Sequence, residues 1–529
     1  MKKSFLLTAI FIFLIPFFNI QASNSAISAN PIVRIGIIQH FGKSSNDVIS
    51  IKAVNEQERL QLVFPSSPNS QDLKDLQTQE LNHFEIRTKL FPLEEPFPEQ
   101  KKIIAGVYRT YETASYWSQS LKDKFPELNW QVVYPGPWQV WAQCDNPQEQ
   151  MEKLQKANFK SAWIHEKSHS KKVLSWKVYI SNSAQNEEFE FNRSKLIIKS
   201  LQGKPLKVNN KIYMGTIEII PDSFGTYTIV NELPIEEYLR GVVPFEIGAD
   251  APKAALETQA ILARTYTLAN LNRFLPENYN LCATQDCQVY GGLGVVNKSI
   301  DDAIKTTSGI IVKDKDGSTA QIFYYSTDGG SSANFQDIWP AEGSQKVKYL
   351  VGTMTCSNLP SKFDLSKEDD ARIFLTSTES KNWSCYDSVS PSFRWEKKLS
   401  IAELNQLVGK ARSRWKFSWP EFKQVKDLKI NKRSNTGRVT ELAIVTDKGE
   451  FTVDRDEVRA AVGGLKSSFF VMDKEMDLNG NLLSITFRGG GYGHGVGLSQ
   501  YGARNLAALG MTSDRILKLY FPNYEVAHL

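Results

Sequence analysis

Two stretches far apart in the chain carry residue types that could do acid–base chemistry on a polymer. The first is Asn231-Glu-Leu-Pro-Ile-Glu-Glu-Tyr-Leu-Arg-Gly-Val-Val-Pro-Phe-Glu246, running into Pro252-Lys-Ala-Ala-Leu-Glu-Thr-Gln-Ala-Ile-Leu-Ala-Arg-Thr-Tyr266. Glu246 follows the apolar Val242-Val-Pro-Phe245. An apolar wall disfavours a charged carboxylate and raises its pKa, and a general acid working near neutral pH needs that shift. The second stretch is Arg488-Gly-Gly-Gly-Tyr-Gly-His-Gly-Val-Gly-Leu-Ser-Gln-Tyr-Gly-Ala503. Its glycines would let backbone come close to a ligand, and it holds His494, Ser499 and Gln500.

Other polar residues stand where they could hold a substrate. Gln259 and Arg264 share the helix that follows Glu246. An arginine on a helix can order a carboxylate or bind one on a substrate. In Cys287-Gln-Val-Tyr290, Tyr290 could stack on a sugar face and Gln288 could bond its hydroxyls. Ser326 lies in Tyr324-Tyr-Ser-Thr-Asp-Gly-Gly330, a strand running into a glycine turn, where site residues are frequent. The glycine loop lacks the lysine of a phosphate-binding P-loop. Ser499 with His494 lacks a nucleophile elbow.

The elements that must position these groups follow from local pattern. Asp250 and Pro252 suit a helix start, and the Ala- and Leu-rich run 254–270 favours helix. Residues 32–38 read as a strand, and 189–230 as short strands with turns. Residues 65–100, rich in Pro, Ser, Gln and acids, read as a linker. Between 101 and 170 the order is β-α-β-β-α-β: strand 103–108, helix 112–125, a hairpin of 130–134 and 138–141 around Pro135-Gly-Pro137, helix 147–158 and strand 161–165. This small α+β unit resembles, in order and in strand-borne aromatics, a SPOR glycan-binding domain. The chain as a whole reads as α+β, with a mixed β-sheet core and helices lining a cleft.

Composition is that of a globular chain of 529 residues, 41% hydrophobic and 23% charged. Two lysines precede an apolar run ending near Phe18, which with Ala22 reads as a signal peptide over residues 1–22 and so as export to periplasm or cell wall. Without Lys2 and Lys3 the formal charge falls from +5 to about +3, too weak to indicate nucleic acid. Of the five cysteines, Cys282 with Cys287 and Cys356 with Cys385 could pair, leaving Cys144 over. No histidine lies between Cys282 and Cys287, and no metal or cofactor is expected there.

Taken together, the motifs resemble the stage II sporulation protein D / amidase enhancer (SpoIID/LytB) family. The resemblance rests on Asn-x-Leu-Pro-x-Glu-x-Tyr-Leu-x-Gly-Val-Val-Pro-x-Glu246, Gln259-Ala-x-x-Ala-Arg264-Thr-Tyr266, Cys287-Gln-Val-Tyr290, Ser326-x-x-Gly-Gly330, Ser434-x-x-Gly-Arg438, Gly-x-Gly-His494-Gly-x-Gly-x-Ser-Gln500-x-Gly-Ala503 and Ile516-Leu-x-x-Tyr-Phe-Pro522. It covers 189–524, with 31–64 as opening strands of the family fold, 101–170 as an insertion, and 171–529 as the catalytic region. Some members hold zinc near the Cys-Gln-x-Tyr motif; Asp286 stands here where histidine is commoner.

The resemblance implies a peptidoglycan lytic transglycosylase acting on glycan strands stripped of stem peptides. Glu246 would be the single general acid/base, with Gln259, Arg264, Gln288, Tyr290, Ser326, His494, Ser499 and Gln500 holding substrate. The alternative is a non-catalytic, glycan-binding enhancer, with a peptidoglycan amidase as partner.

Overall fold

The computed structural model describes residues 30–529, apart from 45–46, 66–75, 93–100, 158, 160, 167–171, 183–184, 192–194, 342–349, 360–362 and 378–382. The expected leader, 1–22, lies outside them. The fold is α+β. Its main sheet has seven strands, in the order Leu281–Cys282, Ile32–Phe41, Tyr227–Pro234, Thr216–Pro221, Leu196–Ser200, Leu60–Pro65 and Leu76–Leu81. The sheet is mixed, because Ile32–Phe41 pairs antiparallel with Tyr227–Pro234 and parallel with Leu281–Cys282. The alternation of Val33, Ile35, Leu60, Leu62, Leu196, Ile198, Ile217 and Ile219, all fully buried, is the period-2 pattern of strands with one face on a core.

Against that core packs the Lys253–Ala269 helix, in which thirteen residues are buried. The sequence pattern explains its length, since Ala and Leu dominate and no β-branched run interrupts it. Its start differs from expectation. Pro252 occupies the N-cap with no side-chain cap, and Asp250 instead pairs with Arg504 at 2.8 Å. Glu246 belongs to a separate short helix, Val243–Ile247, whose turn ends at Gly248.

The expected linker over 65–100 is corrected by two strands, Leu76–Leu81 and His83–Pro92. Each pairs along its length, the second with both Val48–Ala53 and Lys172–Asn182. Ladder partners override the polar composition. The β-α-β-β-α-β order over 101–166 is present, as a four-stranded antiparallel sheet in the order Trp130–Val133, Trp138–Gln143, Lys101–Tyr108 and Trp163–Glu166. The helices Tyr111–Lys124 and Pro147–Lys156 complete it. The unit leaves and rejoins the body between two paired strands, where Pro92 faces Lys172. Its core is continuous with the body: Trp138 packs on Phe274 with ring centroids 4.9 Å apart.

A further core, containing Trp395, Leu404, Val408, Leu428, Leu442, Phe470 and Ile485, lies under the helix Ile401–Trp415 and two three-stranded sheets. Cys356 and Cys385 form a disulfide, whereas Cys144, Cys282 and Cys287 are free thiols. Among the described residues no helix is long and apolar enough to cross a membrane.

Candidate active site

A cleft of about 470 Å³ opens between three parts of the chain. Glu246, Val289 and Gln500 line it together. Arg109, Thr110, Tyr111 and Glu112 of the small α+β unit wall one side, and Asp456 and Arg459 of the Asp456–Ala461 helix another. Thr110 and Thr113 donate to the Asp456 carboxylate, and Arg109 donates to the Asp456 carbonyl at 2.7 Å. The small unit is thereby latched to a segment more than 340 residues away.

Glu246 is half-buried in the cleft wall. Its Oε1 accepts from the Val289 N–H at 2.7 Å and its Oε2 from the Gln500 amide at 3.1 Å. Burial raises its carboxyl above the ordinary range, against the downward pull of those two donors. Both donors are neutral. An amide can offer either its NH2 or its carbonyl, so rotation of Gln500 could match either protonation state of Glu246. The other carboxylates of the cleft are differently engaged. Glu112 is ion-paired with Arg273, Asp286 accepts from the Tyr134 hydroxyl at 2.8 Å, and Asp456 is held by the two threonines.

Of the residues singled out in the sequence, Glu246, Ser326, His494 and Gln500 share this cleft. Five others do not reach it. Gln259, Arg264, Gln288 and Ser499 are 0% exposed and Tyr290 is 1% exposed, so a polymer cannot touch them. Four of the five have an internal post. Arg264 makes two 2.7 Å bonds to Glu236 and one of 2.9 Å to the Ile310 carbonyl. Gln288 donates to Thr267 and accepts from the Tyr324 hydroxyl at 2.6 Å, while Tyr290 donates to Asn231 at 2.7 Å. Ser499 caps the Gln500–Ala508 helix by accepting from the Gly502 N–H. These residues position the loop whose Val289 N–H holds Glu246, and the helix whose first residue is Gln500. For Gln259, the buried amide has no hydrogen-bond partner among the described residues, and we have no physical account of it.

The glycine loop also plays a different part from the one expected. Its glycines admit close approach of backbone to backbone, not to a ligand. A Cβ on Gly497 would lie 2.1 Å from the Phe323 carbonyl, and one on Gly491, at φ +83°, 2.7 Å from that of Thr327. This lets Leu498–Ser499 pair in parallel with Tyr324–Tyr325, which brings Gln500 to Glu246. His494 is packed among Phe323, Tyr325 and Trp339. Burial and the nearby Arg459 push its pKa down to about 3, and its Nδ1 accepts from the Val496 N–H. It is a neutral wall of the cleft, not an acid.

Sequence reasoning missed Arg109, Glu112, Arg273, Asp456 and Arg459. None lies in a motif of its own. The polar Arg109-Thr-Tyr-Glu112 at a strand-to-helix junction was the only signal.

Residues 223–313 match the family model described as Stage II sporulation protein (SpoIID), and residues 333–497 match a domain of unknown function (DUF8618). The chain is similar to the amidase enhancer of Bacillus subtilis (strain 168), 28% identical over 391 residues, 65% of this chain and 51% of that protein. It thus spans about half the length of that relative. It is also 26% identical over 337 residues to stage II sporulation protein D of the same organism, covering 59% of this chain and 81% of that protein. An uncharacterized protein of Chlamydia muridarum (strain MoPn / Nigg) is 32% identical over 127 residues, 23% of this chain and 43% of that protein. Residues 223–313, with Glu246 among them, thus carry the match to the SpoIID family model, and over more than half its length the chain is similar to stage II sporulation protein D and the amidase enhancer.

Proposed function

We propose that this chain is an exported peptidoglycan lytic transglycosylase with Glu246 as its single general acid/base. The carrying observation is the environment of Glu246. Among the described residues it is the cleft carboxylate held only by the Val289 N–H and the Gln500 amide, with burial favouring its protonated form. The sporulation and amidase-enhancer names of the relatives support a role at the cell wall.

Ordinary glycosidases use two carboxylates, one of them for water or a covalent intermediate. A single group suffices when the nucleophile is on the substrate. Protonated Glu246 gives its proton to the glycosidic oxygen as the bond from C1 of N-acetylmuramic acid breaks. The C6 hydroxyl of the same sugar then bonds to C1 and returns a proton to the carboxylate. The product is a 1,6-anhydro ring, no water is consumed, and Glu246 ends protonated as it began. Both reacting atoms sit on one ring, so holding that ring supplies much of the rate. In this reading Gln500 and the Val289 N–H steady the carboxylate midway, while His494, Trp339 and Ser326 line the sugar's path. The small α+β unit is a wall of the cleft, whatever glycan binding of its own it adds.

The likeness to an amidase enhancer supports a second reading, a glycan-binding protein that assists a peptidoglycan amidase. One experiment separates them. Purified glycan strands, with and without stem peptides, are incubated with the wild type and with Glu246→Gln, and their ends are read by mass spectrometry. Anhydromuramyl ends from the wild type alone are expected. Strands bound but uncut by both proteins would leave only the second reading.

A further inference from the structure

A second cavity, of about 490 Å³, continues the first. The two share Arg109 and Asp286. Beyond them the walls are Tyr134 and Pro137, from the hairpin of the small unit, and Lys410, Arg414 and Trp415, from the end of the Ile401–Trp415 helix. Its polar side chains are one-sided in charge: Arg109, Lys410 and Arg414 face a single carboxylate, Asp286, which is already taken up by the Tyr134 hydroxyl.

The cations there make no ion pair among the described residues, although Arg459 donates from Nε to the Leu465 carbonyl at 3.0 Å. Among the described residues, no carboxylate lies within 4 Å of Arg109, Lys410 or Arg414, nor of Arg459 in the first cavity. Arg109 spends one nitrogen on the Asp456 carbonyl, and Arg414 lies 4.9 Å from the Trp415 ring. The contrast on the same helix is direct: Arg412, which does not line the groove, pairs with Glu421 at 3.7 Å. Elsewhere the surface cations commonly find acids, as Arg240 does at Asp301, Lys429 at Glu450 and Arg488 at Asp473. From the Glu246 cleft outwards, then, Arg459, Arg109, Lys410 and Arg414 mark a cationic path with aromatic rings beside it. Guanidinium and ammonium groups left open in a groove suit carboxylates, and aromatic faces suit sugar rings.

We propose that this second groove is a distal subsite for carboxylates carried on the glycan strand, with Arg109, Lys410 and Arg414 as the recognising groups. The inference rests on the glycan-strand reading of the first cleft. On peptidoglycan the carboxylate has two sources. It is the lactyl group of muramic acid when the stem peptide is gone, or the acidic residues of the stem peptide when it is present.

The test uses the full chain in a Glu246→Gln background, so that binding is read without cleavage. Four probes are titrated: bare strands, bare strands with lactyl carboxylates converted to methylamides, strands keeping stem peptides, and neutral chitin oligosaccharides. Lys410→Ala/Arg414→Ala alters two exposed residues and is expected to weaken binding of one carboxylate-bearing probe about tenfold. Binding of the methylamide and chitin probes should stay the same. Loss on bare strands assigns the lactyl group, and loss only on peptide-bearing strands assigns the peptide. Lys410→Arg/Arg414→Lys should retain affinity, which a simple folding defect would not predict. Equal affinity of the alanine variant and its parent for both acidic probes overturns the inference, as does an equal loss on all four. The enzyme reading fails separately. Charge-selective binding with no anhydromuramyl ends from the Glu246-containing protein would leave the subsite and remove the lyase, and cleavage indifferent to strand charge would do the reverse.

Discussion

Replacing Arg264 tests whether it serves the substrate or the scaffold. In the structure its guanidinium is wholly buried and faces Glu236, which keeps 16% of its side-chain exposure. Arg264→Ala removes both 2.7 Å bonds to Glu236 and the 2.9 Å bond to the Ile310 carbonyl. Deleting one partner of a buried ion pair costs about 3–5 kcal/mol, because the other charge is stranded. Glu236 can regain some water, which sets the term near the low end, about 3 kcal/mol. The orphaned carbonyl adds about 1 kcal/mol. At about 2–4 °C per kcal/mol for a unit of 150–250 residues, the melting temperature should fall by about 8–16 °C. Arg264→Met/Glu236→Leu, which removes both charges, should recover most of that loss. The assay is thermal unfolding by circular dichroism, paired with glycan binding at a temperature where each variant is folded. A wild-type melting temperature for Arg264→Ala, together with lost glycan affinity, would refute the scaffold assignment.

Three further outcomes are expected. Because burial raises the pKa of Glu246 and Gln500 draws it down, cleavage should fall as pH climbs through that pKa, and Gln500→Ala should move the falling limb to higher pH; an unmoved or lowered limb in the kcat/KM profile would show that the bond has no hold on the acid. His494 should show no imidazole titration by NMR between pH 5 and 8. With a folded-state pKa near 3 against 6.5 unfolded, the unfolded chain takes the proton first, so this group subtracts stability as pH drops below about 6.5, and a titration near 6.5 in the folded protein would contradict the packing. Breaking the Cys356–Cys385 link, which closes a loop of 29 residues, with Cys356→Ser/Cys385→Ser should cost about 3–4 kcal/mol in urea unfolding; no change in midpoint would mean that the unfolded chain is not restrained by it.

Much of the local structure was legible because pattern and burial agree. The 101–166 unit shows it: Trp130, Trp138 and Val140 alternate onto one face, and Ala114 and Leu121 follow helical spacing. The Leu76–Leu81 strand was not legible, since its residues alternate little and its partner is another strand; in His83–Pro92 the alternation of buried Phe84, Ile86 and Thr88 was present but was overridden by the Pro-, Ser- and acid-rich composition around it. Within the site, residue type pointed to Glu246, His494 and Gln500, but could not tell a residue that lines the cleft from one that props it. Arg264, Gln288 and Tyr290 look like ligand-binding types and are buried. Their polarity serves internal bonds, which only three-dimensional neighbours reveal. Arg109 and Arg459 were missed for the converse reason: an arginine on a strand end or a short helix usually means a solvated surface.

The Glu246–Gln500 bond spans 254 residues, and Asp456 meets Thr110 across 346. Contacts of such separation form late, because long loops must close before they are rewarded. A chain folding from its N-terminus as it emerges therefore passes through a stage with its glutamate in water, at an ordinary acidity, and with one wall of the cleft unbuilt. The proton-donating state comes into being only when nearly all of the polypeptide is present. On the transglycosylase reading proposed above this is a timing safeguard, since a fragment that ends before Gln500 possesses the glutamate without the complete cleft around it.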